Sequence, residues 1–266
     1  MENLYVLKFG GNAIRGRADM MRLSAEMSAM AKEGRKLILV HGGGPEISEE
    51  MERRGLSPVK VCGVRVTDAD ALDVAENVLR RINADMVGCL RESGADAVGI
   101  PGYFCSVCEK KAPMKAAENG EEKEVDLGLV GEVSDVDPQP LFDLLAQGIV
   151  PVIYPIGKDA SGRMLNVNAD TMAAGIAAGT GCAAMIAITD VPGILRDVSD
   201  PSSRIESLTA DEARALIRDG TISGGMIPKV EACIKALESG IPAVRMVNGK
   251  DESGILAEGR GTVIKR

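Results

Sequence analysis

The sequence predicts an α/β protein, an open three-layer αβα sandwich with a central, mainly parallel sheet. Short aliphatic and β-branched runs alternate with segments whose apolar residues recur at helical spacing, beginning with "LYVLKF", a helix and "KLILV". Such alternation is typical of parallel strands joined by helices that cover both faces of the sheet. No linker or low-complexity segment divides the 266 residues, so we expect one continuous body, residues 1–266.

Each element is predicted from its own pattern of residues. Pro45 suits the first turn of the second helix, and Thr67 with Asp70 fits a capping box at the start of the third. The polar stretch Cys108–Asp126 indicates an excursion or a hairpin. The predicted strands are "LYVLKF", "KLILV", "AVGI", "IVPVIYPI", "AMIAIT", "AVRMV" and "TVIK". The predicted helices cover Asp19–Glu33, Glu46–Arg54, Ala69–Ser93, Leu141–Gln147, Asp170–Ala178, Ala210–Arg218 and Lys229–Ser239.

The composition argues against several classes of protein. Apolar residues make up 45% of the chain and charged residues 26%, as in ordinary soluble globular proteins. The net charge of −8, with no block rich in lysine and arginine, argues against a nucleic-acid partner. No apolar run reaches membrane-spanning length, and "MENLYVLKF" lacks a signal-peptide pattern. We therefore expect a cytoplasmic protein with no membrane partner.

Six cysteines occur in a chain too long to need a disulfide framework. Cys105 and Cys108 form a C-x-x-C, but no second pair and no histidine accompany them. We interpret this pair as part of a loop or hairpin rather than as a metal or redox site.

Two apolar runs end abruptly in consecutive glycines: "KFGGNAI" at Lys8–Ile14 and "LVHGGGPEI" at Leu39–Ile47. At the carboxyl end of a parallel strand, glycines let backbone amides approach a ligand, and a following helix N-terminus favours an anion. Two such turns on neighbouring strands would bind one polyanion from two sides. The alternative, that each is merely a tight turn, remains open at this point.

Further polar residues follow other predicted strands. "MLNVNADTM" places Asn166, Asn168 and Asp170 on one side if the stretch is extended, although Asp170 could instead be only a helix N-cap. "AITDVPGI" ends a strand in Thr189–Asp190. These groups add donors and acceptors to the carboxyl edge of the sheet.

Two basic residues also favour an anionic ligand. Lys229, in "SGGMIPKVEA", falls in the first turn of a helix, where its charge opposes the helix dipole unless an anion is bound there. Arg65, in "CGVRVTD", could clamp a carboxylate bidentately, or it could be an ordinary surface arginine.

The absence of several motifs excludes some classes of enzyme. There is no G-x-x-x-x-G-K-[ST], H-R-D or D-F-G, which excludes P-loop enzymes and protein kinases. His41 is the single histidine, and its apolar neighbours favour a packed side chain rather than a base. A carboxylate acceptor, with a pKa of about 4.3, is already a nucleophile at neutral pH. Phosphoryl transfer to it would need positioning and charge neutralisation but no general base.

The motifs, taken together and in order, resemble the amino-acid kinase family over almost the whole chain. They are "KFGGNAI", "LVHGGGPEI", "GVRVTDADALDVAENVL", "LGLVGEV", "NVNADTMAAGIAA", "AITDVPGIL" and "GGMIPKV". Within the family, the chain is most similar to the members that phosphorylate the side-chain carboxylate of N-acetyl-L-glutamate in arginine biosynthesis. The resemblance implies the family's αβα fold and an ATP-dependent carboxylate phosphotransferase.

The resemblance also implies a role for each candidate residue. Lys8 and Lys229 would neutralise charge on the transferring phosphoryl group, and Asp170 would hold both lysines in place. The residues expected to bind the acyl substrate are Gly43, Gly44, Arg65, Asn166 and Asn168. Those expected to bind nucleotide or phosphate are Gly10, Gly11, Thr189, Asp190, Val191, Gly193, Gly225 and Met226. No protein ligand to a metal is expected, because Mg²⁺ would be carried largely by ATP.

The family's organisation supplies further expectations. The N-terminal lobe, residues 1–180, would bind the acyl substrate and form a homodimer, and the C-terminal lobe, residues 181–266, would bind Mg-ATP. One alternative is a kinase for another acylated acidic amino acid, such as carrier-linked 2-aminoadipate or glutamate, although "NVNAD" is intact here. The other is a non-catalytic sensor of nucleotide or amino acid, which would have no need of Lys8, Asp170 and Lys229 together.

Two departures from the family lie near the expected acyl pocket. Cys62 replaces the usual asparagine before the glycine of the arginine motif, and Pro101–Lys111 replaces a glycine-rich turn. Both leave the acyl specificity open. The chain also starts directly in its first strand, and its C-terminal segment has no histidine, unlike arginine-inhibited hexameric relatives. We therefore expect a dimer that arginine does not inhibit.

Overall fold

A computed structural model describes residues 3–10, 13, 16–118, 121–251, 254–255 and 259–266. The strands are β1 (Leu4–Phe9), β2 (Lys36–His41), β3 (Lys60–Val61), β4 (Val64–Arg65), β5 (Ala97–Pro101), β6 (Ser106–Lys110), β7 (Met114–Glu118), β8 (Glu121–Val125), β9 (Val130–Val136), β10 (Val150–Tyr154), β11 (Ile156–Lys158), β12 (Met164–Val167), β13 (Ala184–Thr189), β14 (Ser207–Thr209), β15 (Ala243–Asn248) and β16 (Thr262–Lys265). The helices are α1 (Arg17–Lys32), α2 (Gly44–Arg53), α3 (Ala69–Glu92), α4 (Gln139–Ala146), α5 (Ala169–Thr180), α6 (Ala210–Arg218) and α7 (Met226–Glu238).

The main sheet is mostly parallel, as the alternating pattern predicts. Among the described residues, its strands follow the order β14-β16-β15-β13-β1-β2-β10-β5. Neighbouring strands are parallel apart from the antiparallel pair β15 and β16. β1 lies at the centre, with β2 on one side and β13 on the other. The carboxyl ends of these three strands therefore meet at one edge.

Helices cover both faces of this sheet, which confirms the predicted three-layer sandwich. Side chains of β1 alternate between the faces: Leu4 and Val6 pack in one buried cluster, and Leu7 and Phe9 pack in another. The first cluster contains buried residues of α4, α5, α6 and α7. The second contains those of α1, α2 and α3.

Shorter strands lie beside the main sheet. A second sheet has the order β11-β12-β9-β6, and β3 with β4 and β7 with β8 form antiparallel hairpins. The stretch predicted as an excursion or hairpin, Cys108–Asp126, holds the end of β6 and the β7–β8 hairpin. The second sheet places β12 so that it leads directly into α5 at the edge where β1 and β2 end.

One predicted helix start is wrong in detail. The N-cap of α3 is Asp68, whose side chain accepts a hydrogen bond from the Ala71 amide (2.8 Å). The hydroxyl of Thr67 instead donates to the Arg65 carbonyl oxygen, so Thr67 and Asp70 form no capping box. An aspartate at the residue before the helix supplies the cap equally well.

In the described residues, no helix combines the length and the apolar character that crossing a membrane requires.

Candidate active site

The two glycine-rich turns lie side by side at the carboxyl edge of the main sheet. The Gly42 amide donates to the Phe9 carbonyl oxygen (3.1 Å), and the Gly10 amide donates to the Ile188 carbonyl oxygen on β13 (3.0 Å). Gly11 lies outside the described residues. These bonds fix the turns to each other and to β13, at the edge where open α/β sheets bind their ligands.

Lys8 projects from β1 into this edge and pairs with Asp170. Its Nζ lies 2.8 Å from Asp170 Oδ1, and the lysine is buried, with 8% of its surface exposed. The N-cap of α5 is Asn168, whose side-chain oxygen accepts from the Asp170 amide (2.7 Å) and more weakly from the Thr171 amide. The alternative that Asp170 is only the cap is therefore wrong. Its carboxylate is directed to the lysine.

Lys229 pairs with a different aspartate from the one expected. It lies in the first turn of α7, and its Nζ donates to Asp190 Oδ1 at 2.9 Å. Asp190 directly follows β13, and its carboxylate pairs with this lysine. The expectation that Asp170 holds both lysines is therefore met at Lys8 alone, and each lysine has its own carboxylate.

A cavity of about 390 Å³ opens beside Lys8 and the second glycine turn. Its walls come from the turn before α2, the β3–β4 hairpin, α3 and the β12–α5 junction. The lining residues are Lys8, Gly42, Gly43, Gly44, Pro45, Ile47, Lys60, Gly63, Val64, Arg65, Leu79, Val130, Pro155, Asn166, Val167, Asn168, Ala169 and Asp170. Among these described residues, Lys8, Lys60 and Arg65 are cationic and Asp170 is anionic. The cavity therefore carries an excess of positive charge and suits an anionic ligand.

Arg65 is buried in the cavity wall rather than exposed on the surface, with 6% of its surface accessible. Its Nη2 donates to the Gly44 carbonyl oxygen (3.0 Å) and to Ser48 Oγ (2.7 Å). No carboxylate pairs with it in the described part of the chain, and burial lowers the pKa of its guanidinium. A buried charge without a counter-ion is costly, so a ligand carboxylate would relieve that cost.

The two asparagines, Asn166 and Asn168, also line this cavity. Asn166 Nδ2 donates to Thr67 Oγ1 (3.1 Å), and Thr67 in turn donates to the Arg65 carbonyl oxygen (2.9 Å). This chain of hydrogen bonds joins β12 to the arginine-bearing hairpin. Asn168 caps α5 and also lines the cavity.

A second cavity of about 320 Å³ adjoins the first and contains Lys229. Asn168 and Asp170 line both cavities, and Gly225 lines this one. Asp170 and Lys229 therefore face a common space. An anionic group lying between the cavities could meet both lysines.

A more apolar cavity of about 210 Å³ follows β13. It is lined by Val191, Pro192, Gly193, Ile194, Leu195, Val198, Thr221, Ile222, Ser223 and Met226. Thus Val191, Gly193 and Met226, expected at the nucleotide, lie together.

The remaining residues expected at the nucleotide occupy other places. Gly10, Thr189 and Asp190 do not occur among the residues lining the three cavities described above. Thr189 is buried, and its hydroxyl accepts from the Val191 amide (3.2 Å), so its side chain shapes the turn.

Several residues at the site were not predicted from the sequence. Lys60 lines the first cavity from β3, and Ser48 orients the guanidinium of Arg65 from α2. Ser48 lies four residues after Gly44, on the same face of α2, so helical spacing could have indicated it. Nothing in the sequence separates Lys60 from other exposed lysines.

Cys62 lies at the mouth of the site in an unusual backbone conformation. It is exposed, has a φ of 47° in the turn between β3 and β4, and lines the second cavity. Asparagine adopts this left-handed region more readily than other residues with side chains. Cys62, which stands where the resemblance predicts asparagine, therefore occupies a position whose backbone conformation favours asparagine.

The C-x-x-C pair lies inside the protein. Cys105 and Cys108 are buried free thiols, and burial raises the pKa of the Cys105 thiol to about 12. Such thiols are inert, and the pair spans the turn before β6 and β6 itself.

Comparison with known proteins places the fold and the motifs in one family. The model of the amino acid kinase family matches residues 3–248. The chain belongs to the amino acid kinase family. Two curated members of this family, both named acetylglutamate kinase, match nearly the whole chain. That of Methanocaldococcus jannaschii is 41% identical over 99% of this chain and 90% of its own length. That of Methanosphaera stadtmanae is 40% identical over 98% of this chain and 90% of its own length.

Solved structures extend the similarity of fold. N-acetylglutamate synthase from Neisseria gonorrhoeae, complexed with coenzyme A and L-arginine, superposes with a TM-score of 0.83 and 22% identity. The match covers 99% of this chain but 61% of that longer protein. Giardia carbamate kinase gives a TM-score of 0.71 at 17% identity, covering 99% of this chain and 98% of its own. At these identities the likeness concerns the amino acid kinase fold alone.

Proposed function

We propose that this protein transfers the γ-phosphoryl group of ATP to the side-chain carboxylate of N-acetyl-L-glutamate. The products would be an acyl phosphate and ADP. The observation that carries the proposal is the buried Arg65 in a cavity with excess positive charge. It occurs in a chain about 40% identical, over nearly its full length, to proteins named acetylglutamate kinase.

The substrate would occupy the cavity of about 390 Å³. The α-carboxylate would pair with Arg65, whose guanidinium has no carboxylate partner among the described residues. Asn166 and Asn168 would hold the polar groups of the acylated amine. The side-chain carboxylate would then point towards the glycine turn and Lys8.

The transfer step would depend on position and charge. The acceptor carboxylate is ionised at neutral pH and attacks phosphorus in line, while the bond from phosphorus to the ADP oxygen breaks. Lys8 and Lys229 would neutralise charge on the transferring group from two sides, each oriented by its own aspartate. The amides of Gly43 and Gly44 would donate to its oxygens. No side chain has to remove a proton.

The nucleotide would lie over the second cavity, with its base towards the apolar cavity after β13. Within the described residues, no three His, Cys, Asp or Glu side chains cluster as metal ligands. Asp170 and Asp190 are each paired with a lysine. We propose that Mg²⁺ is carried largely by the phosphates of ATP.

The second candidate is a kinase for another acylated acidic amino acid, such as carrier-linked 2-aminoadipate or glutamate. The observation that favours it is Cys62, which replaces a residue suited to the left-handed turn at the mouth of the site. A changed mouth could admit a longer or tethered substrate. The reaction chemistry would be the same in both cases.

Hydroxylamine trapping with Mg-ATP separates these functions, because hydroxylamine converts an acyl phosphate into a coloured hydroxamate. The acceptors are N-acetylglutamate, glutamate, N-acetylaspartate, 2-aminoadipate and N-acetyl-2-aminoadipate. We expect hydroxamate with N-acetylglutamate alone. Hydroxamate with another acceptor would assign a different substrate and leave the proposed mechanism unchanged. No product with any acceptor would contradict the proposed function.

A further inference from the structure

His41 is fully buried at the end of β2, one residue before the glycine turn that lines the substrate cavity. Its Nδ1 lies 2.9 Å from the Gly42 carbonyl oxygen, and its Nε2 lies 3.1 Å from Asn83 Nδ2 on α3. The same Asn83 nitrogen donates to the Val152 carbonyl oxygen on β10 (2.9 Å). The imidazole therefore connects the turn to a helix and to a strand of the main sheet.

These contacts define which nitrogen of His41 carries the proton. Asn83 Nδ2 is a donor, so Nε2 must accept. The Gly42 carbonyl oxygen is an acceptor, so Nδ1 must donate to it. Both contacts are satisfied by the neutral imidazole with its proton on Nδ1. Burial lowers the pKa of His41 to about 4, which keeps the ring neutral at neutral pH.

The surroundings of Asn83 are adapted to hold it. A Cβ at Gly99, on β5, would lie 1.8 Å from Asn83 Oδ1, so the glycine leaves the room that the amide occupies. Asn83 is 4% exposed. A buried asparagine is costly without partners. This one uses a single nitrogen to hold both the histidine and the sheet.

The bond to the Gly42 carbonyl oxygen determines where the next amide points. The carbonyl of Gly42 and the N–H of Gly43 belong to one trans peptide plane and point in opposite directions. With the carbonyl turned towards His41, the Gly43 N–H points away from the imidazole. Gly43 lines the substrate cavity, and in the described residues its amide donates no hydrogen bond. The amide is available to a ligand.

We propose that His41 is a positioning residue that, held by Asn83, orients the Gly42–Gly43 peptide so that the Gly43 amide donates to the reacting groups. This inference rests on the proposed function. His41 does not touch the substrate and is not a base, because its one basic lone pair, on Nε2, accepts the hydrogen bond from Asn83 Nδ2. Its effect reaches the reaction through one peptide plane.

Two substitutions at His41 separate positioning from simple packing. In His41→Asn, the side-chain nitrogen can occupy the place of Nδ1 and still donate to Gly42. In His41→Leu, the volume is roughly kept but the donor is lost. Removing a whole transition-state donor costs about 100- to 1,000-fold in kcat. A donor that is present but misdirected should cost less. In His41→Leu we expect kcat to fall about tenfold or more. The KM values for ATP and for the acyl substrate should change less than kcat. His41→Asn should recover most of the loss.

A spectroscopic measurement on the unmodified protein tests the arrangement without any variant. His41 is the single histidine of the sequence, so a tag-free protein labelled with ¹⁵N-histidine gives one pair of ring-nitrogen signals. Long-range ¹H–¹⁵N spectra at pH 6–8 should show the proton on Nδ1. A proton on Nε2, or a charged ring in this range, would overturn the proposal even if His41→Leu fails to fold.

The two kinds of failure are distinguishable. Active wild-type enzyme with equal kcat in folded His41→Leu and His41→Asn would overturn the positioning role and keep the proposed function. Wild-type protein that forms no acyl phosphate would overturn the proposed function, and the positioning role with it. Thermal unfolding of each variant shows whether it is folded.

Discussion

Lys8 lies on β1 and Lys229 on α7, and each is held by one aspartate. Preorganised cations of this kind stabilise charge that develops in the transition state without moving to do so. Their separate partners mean that neither lysine depends on the other for its orientation. Each should therefore make its own contribution to kcat.

Replacing Lys8 or Lys229 with alanine should slow turnover by about 100- to 1,000-fold, or roughly 2.7–4 kcal/mol, the cost of losing one preorganised donor. The measurement is kcat at saturating ATP and N-acetylglutamate. Lys235→Ala is the matched control, because Lys235 also lies on α7 but is mostly exposed and reaches Glu132 only at 3.5 Å. Unchanged kcat in both site variants would remove the proposed mechanism.

Arg65→Ala should mainly weaken binding of the acyl substrate. Hydrogen bonds to charged groups contribute about 1.5–3 kcal/mol, so the KM for N-acetylglutamate should rise about 10- to 100-fold while that for ATP stays nearly constant. Arg53→Ala, at an exposed arginine of α2 paired with Glu50, is the control. An equal rise in both KM values would mean that Arg65 supports the whole site rather than the substrate carboxylate.

At the residue scale, the sequence indicates which polar side chains lie at the carboxyl edge of the main sheet. It does not indicate all of their ion pairs and hydrogen bonds. Glycine turns and strand ends mark where polar side chains gather, but the roles predicted for Lys8, Asp170 and Arg65 rest on the family resemblance. The pair of Lys229 with Asp190 could not be derived, because it depends on how α7 packs against the end of β13. The Ser48 contact to Arg65 likewise needs the angle between α2 and the β3–β4 hairpin.

Among the elements, α3 determines how closely the glycine turn approaches the sheet. Leu79, Ile82 and Asn83 lie on the face of α3 that meets the turn. A Cβ at Gly43 would lie 2.7 Å from Ile82 Cδ1 and 3.2 Å from Leu79 Cδ2. A side chain at this position would therefore have to displace the ends of Ile82 and Leu79.

Gly43→Ala should destabilise the protein by about 1–3 kcal/mol, the usual cost of overpacking a core. Ile82→Val removes the nearest atom, so the same substitution should cost less in that background, a non-additivity that urea unfolding measures. Gly88→Ala is the control, because Gly88 lies on α3 and has no atom within 4 Å of an added Cβ. It should be stabilising. Strict additivity of Gly43→Ala with Ile82→Val would contradict the contact.

The main elements were predictable because each carries a clear apolar pattern. The strands "LYVLKF", "AMIAIT" and "TVIK" and the helix Ala210–Arg218 have the predicted bounds. The second sheet was not predicted strand by strand, because β11 and β12 lack a clear apolar period. The cap of α3 was misplaced by one residue since aspartate and threonine are both good caps.

At the scale of the whole molecule, the prediction concerns the number of chains in the oligomer and the effect of arginine. We propose a homodimer that arginine does not inhibit. Light scattering should then give about twice the 27.9 kDa of one chain, and turnover should be unchanged by arginine in the millimolar range. A hexamer, or inhibition by low millimolar arginine, would contradict this proposal.

The central claim is that the side-chain carboxylate of the substrate is the phosphoryl acceptor. The measurement uses N-acetyl-L-glutamate labelled with ¹⁸O in both oxygens of its side-chain carboxylate. Hydroxylamine then cleaves the acyl phosphate at carbon, so the bridging oxygen leaves with the phosphate, and ³¹P NMR counts its ¹⁸O. We predict one ¹⁸O in every phosphate released. Unlabelled phosphate would mean that water, not the substrate carboxylate, accepts the phosphoryl group, and would contradict the account.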